Sequence, residues 1–562
     1  MTTPAQSRRP RARAIAALLA GGMLLAGCTA IPNSGPVQGG LKDLQQVDQV
    51  YQYKPSGPIT GASQEDLVRG FVLAATSSVD DYATAREFLT AEYSSQWDPY
   101  YGVLIDEGTR PYRQDGNTAG VLSLSTTAKL DSAGDMLPVA PGPSMEMRFE
   151  FERVAGEWRI SSAPSGIILD ANTFSTIWSS HQLYFVGAGN LLVPETRWFL
   201  TRTALVTEIV GALLEGPGER MREVVRSGFP AGTSLASNSV PVVDGKARID
   251  LTNTVLEAGP EAMGQIRQQL KTSLQTVPGV TGFELLVEGT PLRPTPEEDA
   301  TAPRPVTLTQ APAVMIGDEF GTVVSGEFSA WQGLGASLHD FDPQSITLSA
   351  DEQTAAVLNE SGVTRVDANG AILVDGREDL LDPSLDPLGY VWTVSRSDSA
   401  ALLATAPDGT ATEVPTPWLA GRSPAAVRLS PDGSRVAALV ADGEESHVLV
   451  SGVIRDESGL PLRTVEGADT KLWAAGTPRD LDWVGQLSFA ALTGVGSAGK
   501  VTVGGVGLFG IERTSVPGGI HVSGGGGRSA LRVLGSDGDL FSPQGAGWQR
   551  SEDEIEVLAK RG

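Results

Sequence analysis

Chemically, the most telling residue of this chain is its only cysteine, Cys28. A single thiol cannot build an internal disulfide framework or a thiolate metal cluster. It can form a thioether to carbon. Its neighbours are Leu25, Ala26 and Gly27, an aliphatic residue followed by two small ones, and the apolar run AIAALLAGGMLLAG over 14–27 leads into it. Arg8, Arg9, Arg11 and Arg13 stand ahead of that run with no acid among residues 1–13. The run is shorter than the ~20 residues a spanning helix needs, so the pattern is that of a cleaved export signal.

The order of basic segment, apolar run and Leu25-Ala26-Gly27-Cys28 resembles the lipobox of bacterial lipoproteins. That resemblance implies cleavage before Cys28, an S-diacylglycerol and an N-acyl group on it, and attachment to the membrane through those lipids. Each buried methylene contributes about 0.8 kcal/mol, so one chain holds weakly and two or three hold durably. Ser7-Arg8-Arg9 hints at twin-arginine export, but Pro10 and Arg11 follow it, and the general secretion route is favoured.

Other spacings suggest chemistry and lack a necessary part. Gly494-Val495-Gly496-Ser497-Ala498-Gly499-Lys500 satisfies G-x-G-x-x-G and nearly a P-loop. Both cradle phosphate at a helix start, yet Val501 replaces the magnesium-binding hydroxyl and the following residues are strand-like. It reads as a glycine-rich loop, as does 523–527. His181, His339, His447 and His521 form no H-E-x-x-H or i, i+4 pair, so no metal site is expected. Asp375, Glu378, Asp379, Asp382 and Asp386 lack calcium-loop spacing and read as a solvated acidic loop. There is no G-x-S-x-G elbow. The expectation is a chain without catalytic residues, metal or cofactor. Its formal charge of −25 becomes four units more negative once the leader's arginines are removed, and such a surface repels phosphates, so no nucleic-acid partner is expected.

At 562 residues the chain needs several cores. Residues 1–27 are the signal peptide, and 28–60, rich in Pro, Gly, Gln and Ser, are a lipidated tether of roughly 30 Å reach. Residues 61–170 read as an α+β domain. Ser63 caps a helix with Leu67, Val68, Phe71, Val72 and Ala75 inward, and a second helix covers 81–89. An alternation over 121–127 and the strand Met145, Met147, Phe149, Phe151 follow, then a turn at Gly156 into Trp158, expected in the core. This order is similar to the nuclear-transport-factor-2-like fold.

In 171–290, a helix carries Leu205, Val206, Ile209, Val210, Leu213 and Leu214 and stops at Gly216-Pro217-Gly218. A strand over 239–243, an Asp244-Gly245 turn and the run 246–252 form a hairpin. A helix with Ile266, Leu270, Leu274 and Val277 inward ends at Pro278-Gly279, and a strand over 283–289 follows. This order resembles the GerMN domain. Residues 291–312 read as an extended Pro/Thr-rich linker.

From 313 to 556 short alternations recur between Asn369-Gly370, Asp408-Gly409, Asp432-Gly433, Ser458-Gly459 and Asp537-Gly538. LSADEQTAAVL at 348–358 matches LSPDGSRVAAL at 429–439, an offset of about two 40-residue units. An all-β propeller of about six blades follows, closed so that each blade buries its faces on its neighbours. Its tryptophans are expected between blades.

Lipobox, α+β domain, GerMN domain and propeller, in that order, resemble the LpqB family of actinobacterial lipoproteins over essentially the whole chain. The resemblance implies an accessory protein on the extracytoplasmic face of the cell membrane. It would contact the outer domain of a sensor histidine kinase of the MtrAB type and modulate envelope and division signalling. Two other readings stay open: a sensor of envelope glycans or peptides, and a propeller enzyme with convergent acidic or histidine side chains in its channel.

Overall fold

In the computed structural model the described residues are Thr2 and 55–562 other than 203, 310 and 325. Cys28, the lipobox residues Leu25, Ala26 and Gly27, and the tether up to residue 54 lie outside them. Residues 54–562 form one compact unit. No helix among the described residues is long and apolar enough to cross a membrane.

The first domain starts with a helix over Gln64–Ala74, where Ser63 and Asp66 form a reciprocal capping box that satisfies two orphan amides. Leu67, Val68 and Phe71 point from it into the core. The expected helix over 81–89 shrinks to Ala83–Arg86, because Asp80, Asp81 and Tyr82 all take left-handed φ. Tyr82, Ala85, Phe88 and Leu89 are nonetheless buried. The alternation over 121–127 divides at Ser125 into Ala119–Leu124 and Thr126–Asp131, which belong to different four-stranded sheets. Met147, Phe149 and Phe151 face inward as their period-2 spacing demands. Trp158 is only half-buried, with the Arg153 guanidinium 4.5 Å from its ring centroid.

The middle domain opens with a long antiparallel hairpin, Trp178–Val186 and Leu192–Leu200. The helix Leu205–Glu215 and the helix Pro260–Leu274 follow, and the strands Lys246–Leu251 and Gly282–Val287 pair in parallel around the second helix. Asp244 and Gly245 both adopt positive φ, the turn geometry a two-residue hairpin requires, although the strand before them is confined to Val242–Val243. The linker is not wholly extended. Thr295 caps a one-turn helix, Pro296–Ala300, which docks on the second helix through Arg267 and Glu298 at 2.6 Å.

The C-terminal region is a six-bladed propeller. Each Asx-Gly or Ser-Gly signal sits at a turn between adjacent strands of one blade. The matched segments 348–358 and 429–439 occupy equivalent places in blades two and four. Val557–Leu558 pairs with Ala313–Ile316, so the chain's last strands supply the innermost strand of blade one and close the ring. Gly494–Lys500 is the tip of the second hairpin of blade five, two paired strand ends that turn at Gly496-Ser497, and 524–527 lie in the link between the first two strands of blade six. Trp392 and Trp483 are buried between strands, while Trp331, Trp418, Trp473 and Trp548 are half-exposed.

Candidate functional site on the propeller axis

The innermost strands are Ser345–Leu348, Ser384–Leu385, Ala426–Leu429, Thr477–Trp483, Gly519–Ser523 and Val557–Leu558, the last continued by Lys560–Arg561. Side chains alternate across a strand, so each places one set against its neighbouring blades and the other on the axis. Ile346, Val427, Leu429, Leu481, Trp483, Val522 and Ala559 enter the apolar clusters between blades. Thr347, Arg428, Asp480, Asp482, His521 and Lys560 form the second set, joined by Asp382 just before the strand of blade three.

These polar groups satisfy one another. The Lys560 ammonium donates to Asp480, lies 3.1 Å from Asp382 Oδ2 and 3.4 Å from the carbonyl of Leu481. Arg428 donates to Asp482 at 3.3 Å, to Thr347 Oγ1 at 3.3 Å, and to the carbonyl of Pro383. Asp482 also accepts the Gly524 amide at 2.7 Å, and Asp480 accepts that of Val522 at 2.8 Å. Asp480 Oδ2 lies 3.6 Å from His521 Nδ1. Arg428, Lys560, Asp480 and Asp482 are buried, whereas the His521 side chain is 40% exposed.

Burial raises a carboxyl, and for Asp480 the Lys560 ammonium and the His521 hydrogen bond outweigh it and hold the group below the ordinary carboxylate range. Asp382 is lowered too: Lys560 overcomes its burial. For Asp482 burial wins over Arg428 and the pKa rises. Burial disfavours the charged Lys560, but Asp480 and Asp382 more than restore it. His521 likewise rises, because Asp480 prevails over burial.

Asp382, Asp480 and His521 offer ligand atoms all within 4.8 Å of one another, a spacing a metal ion could use. The chain's own Lys560 ammonium already sits on both carboxylates, so the donor set is neutralised by a covalently attached cation. Of the four scattered histidines only His521 reaches this point, joined by Asp382 of the acidic run, while His181, His339 and His447 lie against Ser179, Asp318 and Trp473. The acidic run is not a solvated loop either. Asp375 is buried against Arg377 and Thr393, Asp386 against Arg455 and Trp392, and only Glu378 and Asp379 are exposed. Lys560 and Arg428 carry no motif. The one sequence trace of the cluster is the polar face Asp480, Asp482 opposite Leu481 and Trp483.

One propeller face, made of the first-to-second and third-to-fourth strand turns, seats the rest of the chain. Arg435 donates to the carbonyl of Pro194 at 2.7 Å, Trp198 Nε1 to that of Gly507 at 2.8 Å, and Gln486 to that of Val306 at 3.4 Å. Phe174, Trp198 and Phe509, one from each domain, pack together, Phe509 edge-on to the other two rings. The opposite face carries the second-to-third strand turns, at Gly317, Glu360, Arg396, Glu444, Ser497 and Asp537, all exposed. None of the described hydrogen bonds or ion pairs from residues 55–309 reaches those turns.

Comparison with known proteins assigns the domains. Residues 57–175 match the N-terminal domain of lipoprotein LpqB, 182–293 match the Germane family of sporulation and spore germination, and 321–557 match the LpqB beta-propeller domain. Lipoprotein LpqB of Thermobifida fusca is 27% identical over 87% of this chain and 88% of its own length. That of Streptomyces coelicolor is 28% identical over 88% and 87%. Among solved structures, the first GerMN domain of GerM from Bacillus subtilis aligns with 23% of this chain and 94% of that domain, at 20% identity and a TM-score of 0.19.

Proposed function

We propose that this chain, a member of the LpqB lipoprotein family by its domains and its relatives, is a lipid-anchored binding protein on the extracytoplasmic face of the cell membrane. In this reading it contacts the outer domain of a sensor histidine kinase of the MtrAB type and adjusts its signalling in envelope growth and division.

The observation that carries the reading is the asymmetry of the propeller. One face is committed to the chain's own domains through Arg435, Trp198 and Gln486, and no described hydrogen bond or ion pair from residues 55–309 reaches the opposite rim of turns. The charges on the axis, Lys560 and Arg428 with their carboxylates, are buried and matched to one another, which favours docking over turnover. Anchoring at Cys28 confines that surface to the plane where a kinase's outer domain stands, and confinement raises effective concentration without any new contact.

The test is copurification in mild detergent of the anchored chain with the kinase, beside Cys28→Ala and a rim variant carrying Glu360→Lys, Glu444→Lys and Asp537→Lys. Recovery of the kinase with the wild type and its loss with the rim variant is expected. A wild-type, correctly anchored chain that never brings the kinase down would overturn the reading.

A further inference from the structure

The first domain, the middle domain and the propeller meet around a cavity of about 480 Å³, within the range of small-ligand sites. Met221, Val450, Val465 and Val506 give it an apolar floor. Its charged groups are incompletely matched, in opposite senses, at two places.

On the side built by the first and middle domains, one guanidinium serves two carboxylates. Arg197, 5% exposed, donates to Glu195 at 2.7 Å and stands 3.3 Å from Asp135 Oδ1. Glu195 is also satisfied by the Gly218 amide at 3.1 Å. A Cβ at residue 218 would come within 2.7 Å of Glu195 Oε1 and 3.1 Å of the Arg197 guanidinium, so glycine there leaves that pair undisturbed beside the cavity. Asp135 holds only the longer contact and is 39% exposed, which leaves a negative charge facing the lumen. On the propeller side the imbalance is reversed. Asp469 serves two cations, Arg220 at 3.0 Å and Lys471 at 3.2 Å, which leaves a positive charge.

We propose that this cavity binds a small zwitterion of the α-amino acid class, with its ammonium on Asp135, its carboxylate on Arg220 and Lys471, and its side chain over Met221 and Val450. A ligand with both charges completes both groups at once, and one with a single charge leaves the other side unmatched. Burial lifts the Asp135 carboxyl to about 6 against the pull of Arg197, with Glu195 and Asp131 adding to the rise and Lys471 opposing it. Asp135 is therefore ionised and ready for an ammonium above that pH and protonated below it. The site goes beyond kinase docking: its ligand would tie together the domains behind the propeller face that carries the second-to-third strand turns.

The test is titration calorimetry and thermal shift on the full chain in detergent, without any kinase. The probes are leucine, leucinamide (cation only) and 4-methylpentanoate (anion only), at pH 7.5 and 5. Leucine should raise the melting temperature and bind at least tenfold more tightly than either single-charge analogue. Binding should weaken at least tenfold at pH 5, and Asp135→Asn, Lys471→Met and the cavity-filling Met221→Trp should each abolish it. Leucine and five other amino acids that leave the melting temperature unchanged would overturn the proposal. So would equal binding of leucinamide, or leucine binding untouched by Asp135→Asn and Met221→Trp. Because no kinase is present, such a failure leaves the docking reading intact.

Discussion

Lys560 sets its ammonium on the carboxylate of Asp480, 80 positions earlier in the chain, and both side chains are shut away from water. One follows directly on the strand that closes the ring and the other belongs to blade five, so the pair fastens closure to the axis. Lys560→Met leaves Asp480 and Asp382 without their cation. Breaking a buried pair from one side costs about 3–5 kcal/mol, so urea unfolding should show a loss of that order. Replacing all three partners, as Lys560→Met with Asp480→Leu and Asp382→Asn, should recover much of it, since the penalty lies in the orphaned charges. Asp480 titrates below its unfolded value, so its contribution is full above about pH 4 and is lost as pH falls toward the folded pKa. The acid limb of a stability–pH curve should therefore flatten in Asp480→Asn.

His521 is the exposed end of the same network. Burial alone would lower its pKa, and the carboxylate of Asp480 overrides it, so the imidazole should titrate above the ordinary histidine value. A raised pKa stabilises fully below the unfolded value near 6.5 and loses that contribution as pH rises through the folded one. NMR titration of the ring protons should place the midpoint above 6.5 in the wild type and clearly lower in Asp480→Asn. An unchanged midpoint would mean that Asp480 does not govern the ring.

Turn chemistry made the propeller readable. Asp432-Gly433 and Asp537-Gly538 mark hairpins because Gly433 and Gly538 supply the positive φ those turns require, and the matched segments report the blade period. The hairpin Trp178–Val186 and Leu192–Leu200 was invisible. Glu195 and Arg197 interrupt its apolar pattern, and they are buried only because each neutralises the other. The axis cluster was unreadable for a related reason. Asp480, His521 and Lys560 come from separate strands and Asp382 from the loop before another, and ring closure rather than spacing brings them together. The helix over 81–89 failed locally, since propensity cannot foresee three consecutive left-handed residues at 80–82.

Lipidation makes a separable prediction. Cys28→Ala should move the chain from the detergent-rich to the aqueous phase on phase partition, because two or more acyl chains are needed for durable attachment and none can then be added. Mass analysis of the mature wild-type chain should start at Cys28 and carry acyl mass. Retention of residues 1–27, or an unmodified thiol, would remove the anchor.

Two helix glycines should respond in opposite directions to the same change. Gly211 lies in Leu205–Glu215, and a Cβ there meets nothing within 4 Å. Gly211→Ala should therefore stabilise by about 0.5–1 kcal/mol, the difference in helix cost between the two residues. Gly264 lies in Pro260–Leu274, and a Cβ there would sit 2.3 Å from the backbone carbonyl oxygen of Glu298, in the linker helix. The same propensity gain is available, but the linker helix must shift and pull Glu298 away from Arg267. Overpacking of this kind costs about 1–3 kcal/mol, which exceeds the gain. Gly264→Ala should lower the melting temperature while Gly211→Ala raises it. If Gly264→Ala were stabilising instead, residues 296–300 would not be packed on that helix, and the linker would be the extended tether its composition suggests.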